Sequence, residues 1–170
     1  FKDDVNLSKN APLKSSGING VDKVLKAAGI EKMERLFPGA EKLKSAKVLH
    51  GTGCVVEGVE FWGVGGGIPV TPFGDWSYDF SEAEAEPLLA GCKPGAVLVV
   101  HSPPLNSVDH DSSGQIRGSQ AIREVVEATQ PNLVVCGHIH SDWEKQVRIS
   151  ETQVLNAGPR GVLIDIDFSA

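Results

Sequence analysis

Two apolar runs in this chain each end in histidine. Residues 96–100 (AVLVV) lead directly into His101, and residues 133–136 (LVVC) lead, after one glycine, into His138-Ile139-His140. Neutral imidazole is a good ligand for zinc and iron and, less strongly, for manganese. Three histidines delivered to one place would therefore form a metal-binding set. His138 and His140 are two residues apart. In an extended segment they point to the same side, whereas on a helix they would diverge by about 200°. Gly137 lets the chain turn there without a Cβ in the way. His101, His138 and His140 are the candidate metal ligands.

Other residues carry weaker signals. Asp109-His110-Asp111 lies among serines and glycines and reads as a solvated loop, overhanging the site closely enough for His110 to be a substrate contact. Gly118-Ser119 opens a helix, whose free N–H groups suit a phosphate oxygen, with ordinary capping as the simpler role. Asn156 begins an Asn-Ala-Gly-Pro turn and is a second candidate substrate contact, a structural role being the alternative. The glycine-rich run at 63–67 does not match G-x-G-x-x-G and leads into Ile68-Pro69 rather than a helix, so it reads as a strand exit. His50 stands at the end of a short apolar run with no partner evident in the sequence.

The elements that position these residues follow from periodicity. Ala121, Ile122, Val125 and Val126 mark an amphipathic helix closed by Pro131, lying between the two apolar runs. Strand, helix, strand within about 40 residues is a βαβ unit, with parallel strands and a right-handed crossover. In open α/β sheets, ligands lie beyond the carboxyl ends of the strands, which is where all three histidines fall. Upstream, residues 47–50, 54–57 and 59–64 read as short strands, with a hairpin turn at Glu57-Gly58. Residues 65–78 read as a loop, and Ser81 with Glu84 as a capping box opening a helix to about Ala90. Downstream, residues 145–149, 152–156 and 161–167 read as strands. Before them, residues 1–16 read as a tail or loop, and helices are expected from Val21 to about Ala28 and over residues 31–37.

The chain has 170 residues, 41% of them hydrophobic, enough for a single domain with a core over residues 48–167. A net charge of −6 argues against non-specific binding to nucleic acid or an anionic membrane. No apolar run reaches the roughly 18 residues of a membrane helix. Three widely spaced cysteines without C-x-x-C read as reduced packing residues, and the expected location is cytoplasmic.

His-Ser-Pro-Pro at 101–104, Gly-His-Ile-His at 137–140 and Asn-Ala-Gly-Pro at 156–159, each after a strand, resemble the calcineurin-like metallophosphoesterases over roughly residues 48–167. The resemblance implies an α/β fold of the αββα sandwich type with two divalent metal ions (Mn, Fe or Zn) at the sheet ends. It implies His101 and His138 on one metal and His140 on the other. It also implies in-line attack of a bridging hydroxide on a phosphodiester or phosphomonoester, with cations about 3.5–4 Å apart. The family's first half carries D-x-H, G-D-x-x-D and G-N-H-D, which supply a bridging aspartate and the remaining ligands; this sequence has none of them in place. The expectation is therefore the C-terminal part of a dinuclear phosphoesterase, lacking the first strands and acting on a small phosphoester. The alternative is a non-catalytic phosphoesterase-like scaffold that binds protein. A cupin-like mononuclear site is a third reading, since Glu144 follows His138-Ile139-His140 at H-x-H-x-x-x-E spacing. No histidine follows His140 to complete that set.

Overall fold

The computed structural model describes residues 47–165; the tail, the two helices expected upstream and residues 166–167 lie outside them. Six strands form one sheet: β1 (Thr52–Val56), β2 (Val59–Val64), β3 (Val97–Val100), β4 (Leu133–Cys136), β5 (Gln146–Ile149) and β6 (Thr152–Asn156). Their order is β1-β2-β3-β4-β6-β5. The four central strands are parallel, and β1 and β5 close the edges antiparallel. Two helices, α1 (Glu82–Leu89) and α2 (Gln120–Thr129), connect the parallel strands. The fold is α/β with a mixed sheet.

Local chemistry sets these bounds. Glu57 and Gly58 both have positive φ, 51° and 85°, the left-handed pair that a two-residue hairpin turn requires, so Val56 pairs with Val59. The capping box forms: Ser81 Oγ accepts from Glu84 N–H, and the Glu84 carboxylate accepts from Ser81 N–H. α2 starts on Ser119, whose Oγ accepts from Ile122 N–H, and stops at Gln130 in the left-handed region ahead of Pro131.

Two expected strands do not form among the described residues. In residues 47–50, the Thr52 hydroxyl donates to Val48 O and accepts from His50 N–H, so side-chain bonds fold the segment before it can join the ladder. Residues 161–165 lay Val162 and Ile164 against the sheet without ladder pairing.

The period of two along each strand divides the core. Leu98, Val100, Val134 and Val154 face the helices and pack with Ala85, Leu89, Ile122 and Val126. Val97, Leu133 and Leu155 face the other way, joined by half-buried Phe61, Val99 and Val135. Both helices lie on one face. The described residues thus supply one sheet and one helical layer of the four layers expected. Because the central strands are parallel, their carboxyl ends share one edge. Two bonds continue the pairing past it: Gly137 N–H donates to His101 O, and Ala157 N–H to Cys136 O.

Candidate metal centre

His101 and His138 meet at that edge. His101 Nε2 and His138 Nδ1 are 3.0 Å apart, with ring centroids 4.8 Å apart and the rings edge to face. The way they meet differs from the extended geometry that the spacing suggested. His138 has φ +58°, a left-handed conformation uncommon outside glycine, and Ile139 N–H donates back to Gly137 O. His140 then begins a short 3-10 turn, His140–Asp142. Ile139 is the cause: its side chain is buried, and its carbonyl accepts from Asn156 Nδ2 at 2.8 Å, which pulls the chain into a turn. The i, i+2 alternation therefore does not apply. His140 is exposed beside the pair and acts on both rings through its charge.

Loss of surrounding water is the largest influence on His101 and holds its pKa below the usual histidine value, assisted by His138 and His140 and opposed by Asp79. His138 is lowered in the same way, first by burial, with Asp79 opposing and His140 assisting. Both rings thus favour the neutral form, which carries the lone pair a cation needs.

Asp79 was not singled out by its sequence context. Burial works to raise its pKa, but hydrogen bonds from Ser77 and Thr71 and the nearby His138 outweigh that, and the carboxyl stays below the usual range. Thr71 N–H donates to its Oδ2 at 2.8 Å, and the Thr71 and Ser77 hydroxyls also donate to it. A neck closes the loop that carries it, with Gly67 N–H bonded to Tyr78 O and Phe80 N–H to Gly67 O. Ile68 N–H, in that neck, donates to the buried Ser102 Oγ at 2.8 Å, next to His101. The sequence signal was faint: an aspartate just past the glycine-rich loop at 65–78 and ahead of the Ser81 cap.

The three candidate substrate contacts fare differently. Gly118 N–H is taken by Asp109 Oδ2 at 3.0 Å, and the next N–H groups at the start of α2 go to Pro103 O and the Glu82 carboxylate, so a phosphate finds no free donor there. Asn156 is fully buried; Nδ2 serves Ile139 O and Val108 O, and Oδ1 accepts from Gly158 N–H. Its amide organises the turns of the edge, the structural role that its sequence context offers as the alternative. His110 remains at the surface, half exposed, with Nδ1 3.5 Å from Asp142 Oδ2 and 3.8 Å from Asp109 Oδ1. Asp109 is not solvated as expected: it is fully buried and accepts from Asn106, Ser107 and Gly118 N–H. His50 acquires a partner, accepting at Nδ1 from Gly65 N–H. Cys136 is buried under the site, its thiol pKa pushed up to about 12 by burial and then by Asp109, in keeping with a packing role.

A divalent cation can be tested against this geometry. Two nitrogens each about 2.1 Å from one ion stand roughly 3.0 Å apart at the right angle of an octahedral ion and roughly 3.4 Å apart at a tetrahedral one. The 3.0 Å between His101 Nε2 and His138 Nδ1 matches the first and is equally the length of a hydrogen bond between the two rings. Among the described residues no three His, Cys, Asp or Glu side chains gather closely enough to hold a metal. Any cation held at this edge would need further ligands from outside the described residues.

No protein-family profile matches the chain, and no curated protein matches it. Solved structures do. One is similar with a TM-score of 0.57 and 23% identity, over 70% of this chain and 50% of that one. At that identity the likeness is one of fold. The TT1561 protein of Thermus thermophilus is similar with a TM-score of 0.48 and 18% identity, over 74% of this chain and 52% of that one. The chain spans about half the length of both. Among the described residues no helix is long and apolar enough to cross a membrane.

Proposed function

We propose that this chain carries the histidine half of a metal-dependent phosphoesterase of the calcineurin-like type, hydrolysing a small phosphodiester or phosphomonoester. The observation that carries this reading is the 3.0 Å approach of His101 Nε2 to His138 Nδ1 at the carboxyl edge of parallel strands. In this reading His101 and His138 bind one divalent cation, His140 stands ready for a second, and carboxylates outside residues 47–165 complete the set. A bound divalent cation supplies Lewis acidity toward a phosphoryl oxygen and toward water. The chain's own residues do the rest. Ser102 and Gly137 hold the backbone at His101, and Asp79 places negative charge beside the pair. His110, with Nδ1 turned to the buried carboxylate of Asp142, offers Nε2 to a substrate oxygen.

A second reading, a non-catalytic scaffold that binds protein, is favoured by the lack of a closed three-ligand group among the described residues. Zinc or manganese titration of the wild type and of His138→Ala separates the two. The phosphoesterase reading expects the variant to bind metal at least about 10–100-fold more weakly, and manganese-dependent hydrolysis of a chromogenic phosphodiester to vanish with it. Equal metal affinity in both proteins would refute the ligand assignment and leave the scaffold.

A further inference from the structure

Of the four arginines among the described residues, three donate to an oxygen: Arg117 to the Asp111 carboxylate, Arg123 to the Glu127 carboxylate and Arg148 to the carbonyl of Glu151. Arg160 differs. Its guanidinium carbon lies 5.2 Å from the centroid of the Trp143 ring, and among the described residues no carboxylate pairs with it. Contact with a ring face leaves the N–H donors of a guanidinium unused.

Trp143 carries a second unused donor. Its indole Nε1 is buried and meets no acceptor among the described residues, whereas buried donors are nearly always paired. The indole of Trp62 shows the usual arrangement, donating to Leu88 O at 2.9 Å. Gly158 locates the unpaired nitrogen. A Cβ on Gly158, at φ +56°, would collide with Cδ1 and Cγ of Trp143. Cδ1 is bonded to Nε1, so the unpaired N–H borders the turn on which Arg160 stands.

Backbone bonds tie this turn to the carboxyl edge of the sheet. Ala157 N–H donates to Cys136 O, just before Gly137-His138, and Glu144 N–H donates to Asn156 O. Trp143 closes the short turn that His140 opens. The nearest acidic residues in the chain leave Arg160 unneutralised. The Asp142 carboxylate accepts from Lys145 Nζ and His110 N–H, and Glu144 is exposed.

We infer that the Arg160 guanidinium and Trp143 Nε1 form a subsite for a phosphate oxyanion at this edge, borne by an ester or free. Donors without acceptors, one of them charged, are matched by a ligand that brings negative charge and oxygen lone pairs. Guanidinium and phosphate meet in charge-assisted, forked hydrogen bonds. As a contact of the substrate, the subsite rests on reading the His101–His138 pair as the phosphoester centre.

Two-dimensional proton–nitrogen NMR tests this at the indole N–H of Trp143, assigned as the peak missing from Trp143→Phe. Inorganic phosphate and glycerol 1-phosphate, added at constant ionic strength, should move that peak saturably, with the Trp62 and Trp76 peaks as internal references. Arg160→Gln should weaken the binding about tenfold or more, as for hydrogen bonds to a charged group, and Arg160→Lys should recover part of it. Arg160 is exposed, so its replacement leaves the fold intact. An unmoved peak, a shift reproduced by sodium chloride, or equal affinity in Arg160→Gln would overturn the subsite. Tighter binding of the ester supports a subsite for substrate, and tighter binding of inorganic phosphate one for the free anion. His138→Ala leaves both donors in place. Phosphate binding retained in that variant, with metal affinity equal to the wild type's, upholds the subsite while the phosphoester reading falls.

Discussion

Gly67 lies directly beneath the Asp79 carboxylate. A Cβ at this position would fall far inside van der Waals contact with Asp79 Oδ1 and close to the Thr71 side chain. Its φ is not in the left-handed region, so the constraint is one of space alone. Gly67→Ala should push Asp79 off its Thr71 and Ser77 donors and loosen the neck that ties the loop to Ser102. The expected loss is about 1–3 kcal/mol, as for overpacking elsewhere, read as a lower urea midpoint. An unchanged midpoint would mean that Asp79 does not anchor the loop.

At the scale of elements, Glu82 joins the two helices. It is the first residue of α1, and its carboxylate accepts from Ser119 Oγ and from Gln120 and Ala121 N–H at the start of α2. It does for α2 what an N-cap side chain and a bound anion would do together. Glu82→Ala should therefore cost about 1.5–3 kcal/mol, in the range of hydrogen bonds to charged groups. Ser81→Ala, which removes one cap from α1 alone, should cost about 1 kcal/mol. Urea unfolding of the two variants checks the order; a larger loss in Ser81→Ala would contradict the bridging role of Glu82.

Across the whole molecule, β3 and β4 are central in the sheet and covered by both helices on one face, with Leu98 and Val134 fully buried. β1 and β5 are edges, with exposed Val55 and Val147. Opening free energies should rise from the edges to the centre. Hydrogen exchange followed by mass spectrometry should find β3 and β4 slowest and β1 and β5 fastest. Equal protection throughout would indicate that the sheet opens as one unit.

Much of this organisation is legible in the chain itself. Continuous apolar runs mark β3 and β4, Ser81 and Glu84 mark the start of α1, and Glu57-Gly58 marks the hairpin, because burial, capping and turn conformation act over a few residues. The position of His101 beyond a buried strand follows from the same signals. Other features depend on residues far apart. Asp109 looks like a loop residue until Asn106, Ser107 and Gly118 close around it, and the start of α2 looks free until Glu82 arrives from far upstream. Ile139 and Asn156 convert an apparently extended His-x-His into a turn, and the charge of Asp79 acts on the histidines from a loop whose neck is bonded to Ser102. Local propensity is written in neighbouring residues, whereas the chemistry of the edge is decided by which distant polar groups satisfy one another once parallel strands bring their ends together.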